Sequence, residues 1–325
     1  MVRRRDPDHA FRPMTDSSHR RSRQLGFLLA GIGAVAFSAK AILAKLQYRY
    51  GIDALDVLAL RMAFSVPLFA ALAVRETRRA KAAAKPPLTR REIGLILLLG
   101  GLGYYLSSLL DFWGLEYVPV SLERLILFLN PSFVLLIGLF AFARPVVRRQ
   151  WIAMLVCYVG VTLVFAENLR LEGEHIALGS LLVLGAALAY ALYLALSGEL
   201  VLRIGSLRLV AYAMCVSTAV MLVHYLARRP VAPLLHQPPA VYALAVLNAV
   251  LCTFLPVTFT MSAVARVGAG AAAQLSVLGP VSLVFLGGFV LGEPITALQI
   301  LGTLVVVGGV LVLTRPGANS VPIGK

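Results

Sequence analysis

The stretch 131-PSFVLLIGLFAFARPVVRRQWIAMLVCYVG-160 returns 149 residues later as 280-PVSLVFLGGFVLGEPITALQILGTLVVVGG-309. Without a gap, this offset places Pro131 on Pro280, Gly138 on Gly287, Phe140 on Phe289, Pro145 on Pro294, Gln150 on Gln299, Val156 on Val305 and Gly160 on Gly309. Apolar composition accounts for some of these identities, but not for two prolines and a glutamine in register. Each copy reads as an apolar span entered through a proline, a short break at Arg144-Pro145 or Glu293-Pro294, and a second apolar span. An internal repeat settles the architecture before any single element does. The chain is therefore expected to hold two halves of one design, residues 25–167 and 178–314.

Composition says where such halves reside. Of 325 residues, 59% are hydrophobic and 14% charged, with mean hydropathy +0.85. A soluble domain of this size has no way to hide so much apolar surface. Apolar runs of about 18 to 22 residues recur, each long enough to cross roughly 30 Å of hydrocarbon as a helix. Ten are read, near 25–46, 55–74, 93–112, 120–142, 151–166, 178–198, 209–227, 240–262, 267–291 and 296–314. The expected fold is an all-α polytopic membrane protein with ten transmembrane helices.

The net charge of +15 would suit nucleic acid, but its placement speaks against that partner. With ten spans, 22 Lys and Arg residues fall on one side, and the other side has only Arg49, Arg170, Arg228 and Arg229, beside Glu167, Glu172 and Glu174. This is the positive-inside pattern, so both termini are expected in the cytoplasm of a bacterial-type cell, with the spans in its inner membrane. The basic loop from Arg75 to Glu92 reads as a topology determinant alone, the alternative being that it also meets anionic lipid heads. Residues 1–24 and 315–325 read as polar cytoplasmic tails, the first basic and without fixed structure. Arg20-Arg21 ahead of an apolar stretch has the form of an export signal, but cleavage would leave the first half one helix short. Cys157, Cys215 and Cys252 stand singly inside spans, which suits neither a disulfide framework nor a zinc site.

Five spans make each half cross the membrane once more than it returns. The second half is then upside down relative to the first, an inverted-topology repeat of the kind used by secondary transporters. Two five-span halves, each closing with an apolar run, Pro131 or Pro280, then Arg144-Pro145 or Glu293-Pro294, Gln150 or Gln299, and Gly160 or Gly309, resemble the EamA-type drug/metabolite transporter superfamily. LGEPITALQILGTLVVVGGVLVL (Leu291 to Leu313) is similar to that family's closing signature, and FSAKAILAKL and ALRMAFSVP are similar to the first half of a bacterial member. Arg144 departs from the pattern, standing where Glu293 stands in the second copy. The resemblance implies ten helices and transport of small metabolites, often export.

Ionisable side chains inside lipid-spanning helices are costly and mark functional candidates. The first half holds Lys40, Arg61, Asp111, Glu123 and Arg124. Counted at about 1.5 Å per residue, all five fall in the outer half of the membrane, where two acids and three bases can neutralise one another. Asn130 lies seven residues after Glu123, which predicts a polar stripe on one helix face. Asp111 also reads as a helix end beside Trp113, Arg61 as a structural anchor, and Lys45 as an interfacial cation. Tyr104, Tyr105, Tyr190 and Tyr193 suit either packing or a pocket for an aromatic ligand. Asn248, Thr253, Thr258, Thr260, Gln274, Ser276 and His224 read as interhelical hydrogen-bonding groups rather than proton carriers. Pro131, Pro280 and Pro256 read as helix shapers.

Hydrolase, phosphate-loop and dinucleotide motifs are missing, as are paired metal ligands, so neither catalysis nor a cofactor is expected. The reading is a secondary transporter, an exporter of amino acids or related small metabolites, working by alternating access. Its substrate-binding or gating residues are Lys40, Asp111, Glu123, Arg124, Asn130, Arg61, Tyr104 and Tyr193. Membrane lipids are its other partners. The alternative is an intramembrane enzyme using Glu123 or Asp111 as a base on a lipid or isoprenoid substrate.

Overall fold

Helix is the only regular structure among the described residues of the computed structural model, which are 16–143, 145–172, 175–267, 275 and 278–314. Arg144, Glu174, Gln274, Ser276 and the stretches 1–15 and 315–325 lie outside them, as do the side chains of Arg170 and Glu172. The chain runs through α1 (Asp16–Tyr48), α2 (Ala54–Ala82), α3 (Arg90–Leu115), α4 (Val120–Phe142), α5 (Arg148–Glu172), α6 (Ile176–Ile204), α7 (Ser206–Arg228), a single turn at Ala232–Leu235, α8 (239–267), α9 (Leu278–Leu291) and α10 (Ala297–Thr314). α1 to α8 are each long and apolar enough to cross a membrane; α9 and α10 are shorter apolar helices.

Helix ends follow local chemistry. Asp53 caps α2 by accepting from Asp56 N at 3.1 Å. Thr89 and Glu92 form a reciprocal capping box that starts α3. Two elements outrun the sequence reading. α1 begins at Asp16 rather than near Leu25, and α2 continues through the basic segment to Ala82. A helix nucleated by its packed apolar part propagates into polar flanks at little further cost, whereas starting one is expensive.

Prolines and π-helical turns shape the longer helices. α4 tightens at Phe128 and Leu129, where Phe128 N bonds Leu125 O and Leu129 N bonds Ile126 O, just before Pro131. Pro131 has no N–H to continue the ladder. In α8 a π-helical turn at Val250–Phe254 precedes Pro256, and the Thr253 hydroxyl donates to Asn248 O at 2.9 Å. α3 carries a similar turn at Gly100–Leu106.

The repeat is visible in how the halves meet. α1 packs on α8 and α3 on α6, while α2 packs on α7, α4 on α9 and α5 on α10. Exchanging the halves turns the first of these pairs into the second and each of the others into itself. At the α5–α10 contact, a methyl group on Gly160 would lie 2.9 Å from Gly302 O, and one on Gly309 would lie 3.0 Å from Ala153 O. Ala153 and Gly302 are themselves 149 apart, so these are one contact seen twice, between antiparallel helices. Glycine lets the two backbones touch there, as close helix packing in lipid requires.

Both copies also break alike. Ala143 (φ 50°) and Gly292 (φ 75°), related by the offset, end their helices in the left-handed conformation. Shortly before these breaks, Phe140 and Phe289 are 81% and 92% exposed, a placement suited to lipid rather than water.

Candidate functional site

A cavity of about 330 Å³ lies inside the bundle. α1 contributes Phe37, Ser38 and Lys40; α2, Arg61; α3, Tyr104, Ser107, Ser108 and Asp111; and α4, Arg124, Phe128 and Asn130. The second half adds Tyr190, Met214, Thr253 and Val257. Its charged lining is thus three cations and one carboxylate.

Lys40 Nζ lies 2.5 Å from Asp111 Oδ2, and both residues are buried. The helix carrying Asp111 continues to Leu115, so this residue is a buried ion-pair partner and not a helix end. Asn248 Nδ2 donates to Lys40 O at 3.3 Å, tying α8 to the same turn of α1. Arg61 donates to Ser108 Oγ at 3.0 Å and stacks 4.7 Å from the Phe112 ring centroid. Sequence reasoning made Arg61 an anchor; it both anchors α3 and faces the cavity. Arg124 reaches α1, donating to Phe37 O at 3.4 Å and Ser38 O at 3.3 Å, with the Phe37 ring beneath it.

Six of the eight expected residues therefore line one space: Lys40, Arg61, Tyr104, Asp111, Arg124 and Asn130. Glu123 and Tyr193 stand behind it. Tyr193 packs against Gly103, accepts a hydrogen bond from Tyr104 OH at 3.5 Å and stacks on Tyr190. The expected Glu123–Asn130 stripe does not form, because the tightening before Pro131 breaks the helical register between them. Asn130 Oδ1 is buried without a hydrogen-bond partner. Tyr105 lies elsewhere, with its hydroxyl 2.9 Å from His224 Nδ1.

Sequence reasoning passed over Phe37, Ser107, Ser108, Phe128 and Met214. Ser107 and Ser108 precede Asp111 by one helical turn, a spacing that places them on its face. The two phenylalanines and the methionine carry no comparable signal, since such residues fill most spans.

Polar contacts between the halves close the end of the bundle away from the start of α1. Arg229 pairs with Asp53 and Asp56, and Tyr225 OH donates to Asp56 Oδ1 at 2.8 Å. Arg49 donates to Leu291 O at 2.8 Å, Val120 N to Glu293 Oε1 at 3.0 Å, and Gln47 Nε2 to Val241 O at 3.2 Å. Lys45, half-buried, lines a shallow pocket here with Arg49, Glu116 and Glu293. The opposite end is joined by Arg203 with Glu92 and by Thr77 with the Tyr212 hydroxyl.

Helices long enough to span a bilayer, gathered around a charged internal cavity, define a multi-pass membrane transport protein. The model of the EamA-like transporter family matches residues 24–166 and again residues 177–315. The chain belongs to that family, whose domain occurs here twice. It is 30% identical over 325 residues to the "Uncharacterized transporter YcbK" of Bacillus subtilis, covering 95% of this chain and 98% of the relative. The B. subtilis transporters YetK and YyaM are each 24% identical, over 70% of this chain and 69% and 74% of their own lengths. A crystal structure 14% identical shares the fold with a TM-score of 0.59, over 88% of this chain and 95% of that one. The protein is a transporter and not an enzyme, which removes the lipid-modifying alternative.

Proposed function

We propose that this chain exports small zwitterionic or carboxylate-bearing metabolites, amino acids and related compounds, by alternating access. The observation that carries this reading is the cavity lining: Lys40, Arg61 and Arg124 against Asp111 alone, walled by Phe37, Tyr104, Phe128, Tyr190 and Met214. Cations suit a carboxylate, Asp111 suits an ammonium group, and the rings suit an apolar side chain. A volume of about 330 Å³ is at the small end of ligand pockets.

The halves act as two inverted five-helix repeats, residues 25–167 and 178–314, ten transmembrane helices in all. The antiparallel α5–α10 contact and the helix pairing that survives exchange of the halves support this. The protein sits in the inner membrane with both termini cytoplasmic, as the charge asymmetry supports. In that orientation the Arg229, Arg49 and Glu293 contacts join the halves on the outer side, and the Arg203–Glu92 and Thr77–Tyr212 contacts join them on the cytoplasmic side.

Purified protein in liposomes loaded with labelled neutral and acidic amino acids is expected to release one class, and Lys40→Ala to abolish that release while remaining folded. No facilitated movement of any of these solutes would overturn the reading.

A further inference from the structure

Phe112 and Phe37 join the three cations of the cavity in one chain of contacts. The Arg61 guanidinium lies 4.7 Å from the Phe112 ring centroid, and Lys40 Nζ lies 5.9 Å from it. Lys40 Nζ is also 5.2 Å from the Phe37 centroid, with the Arg124 guanidinium 5.6 Å from that same ring. Lys40 holds the middle of this chain and is neutralised there by Asp111 Oδ2 at 2.5 Å. The two guanidiniums at its ends are not. Among the described residues, Arg61 has the neutral Ser108 hydroxyl as its hydrogen-bond partner, and Arg124 has the carbonyls of Phe37 and Ser38. The Nε of each is buried without an acceptor. Glu123 Oε2 comes only to 3.9 Å from Arg124 Nε, outside hydrogen-bonding range.

The charge of the site follows from these partners. Its lining carries Lys40, Arg61 and Arg124 against Asp111, and the second half lends only the uncharged Tyr190, Met214, Thr253, Val257 and Val310. With Glu123 counted as ionised behind the wall, three cations still face two carboxylates; with it protonated, they face one. Positive charge is left over either way, in a buried space where an uncompensated charge is costly. A neutral amino acid brings one charge of each sign and leaves that excess in place. A solute with net negative charge removes it.

We infer that the cavity binds small acids with two carboxylates, acidic amino acids and dicarboxylates, in preference to neutral amino acids, with Arg61 and Arg124 each taking one carboxylate. This narrows the transport reading above and rests on it only for calling the bound acid a cargo. A guanidinium meets a carboxylate through two parallel N–H donors, a stronger contact than the hydroxyl and carbonyl partners it has here. Asp111 Oδ1, buried without a donor, is left as the acceptor for the ammonium of an acidic amino acid. Because Lys40 already neutralises Asp111, that ammonium adds little, and a dicarboxylate without it is bound as well. A cavity of about 330 Å³ has room for an acid of the size of succinate or aspartate.

The full-length protein tests this in two settings, by calorimetric titration in detergent and by efflux from liposomes. Wild type is expected to bind succinate and aspartate about tenfold more tightly, or better, than butyrate and leucine, which have one carboxylate each. Equal affinity for succinate and butyrate, or for aspartate and leucine, would overturn the site. Arg61→Gln and Arg124→Gln should each bring succinate down to the level of butyrate, whereas Arg61→Lys keeps the charge and part of the preference. A preference for succinate unchanged in both glutamine variants would overturn the assignment, and the wild-type comparison decides the matter where a variant does not fold. In liposomes, labelled aspartate should leave faster than labelled leucine. Equal rates would overturn the inference and leave the transport reading standing. Tight succinate binding with no solute moved would uphold the acid site and overturn the transport reading.

Discussion

Lys40 Nζ and Asp111 Oδ2 meet at 2.5 Å across 71 residues, joining α1 to α3 at the wall of the cavity. Removing one partner strands the other charge in a buried site, which costs about 3–5 kcal/mol, whereas removing both together costs far less. Lys40→Met is therefore expected to lower the melting temperature in detergent, and Lys40→Met with Asp111→Asn to recover most of it. Additive losses in this cycle would show that the pair does not couple.

Gly302 is the position at which α10 touches α5. A methyl group there would lie 2.3 Å from Val164 Cγ2 and 2.9 Å from Gly160 O, and the second of these is backbone with nowhere to move. Gly302→Val is expected to cost about 1–3 kcal/mol in thermal unfolding, the usual penalty of overpacking. Gly308, one face away with nothing within 4 Å, should accept alanine without loss.

Ala143 holds a left-handed conformation that its repeat partner assigns to Gly292. A Cβ in that region costs about 1–2 kcal/mol. Ala143→Gly should remove part of that strain and raise the melting temperature, offset by glycine's greater freedom in the unfolded chain. Gly292→Ala should do the reverse.

Glu116 lies between α3 and α4, outside the spans, where its Oε1 accepts from Ala54 N at 2.5 Å. Burial pushes its carboxyl above the usual carboxylate range, against the opposing pull of that hydrogen bond. A raised folded-state value means the folded protein holds the proton more tightly. Its contribution to stability is full at acid pH and is lost as pH rises from about 4 through the folded value. Glu116→Gln keeps the acceptor for Ala54 and should flatten this decline, so melting curves of the two proteins should diverge with rising pH. Parallel curves would count against the shift.

The membrane-spanning character, the doubled design and the five costly charges were legible in the residue string, because apolar run length, identity at a fixed offset and the expense of charge in lipid are local properties. Pro131 also marked where α4 tightens. Which charge faces which was not legible. Lys40 meets Asp111 only because α1 and α3 lean together, and Glu123 is sealed behind the cavity only because α4 tightens before Pro131 and breaks the seven-residue stripe to Asn130. Helical periodicity gives a face within one straight helix. Contact between helices depends on packing between residues 71 or 149 apart, and there tertiary structure alone decided.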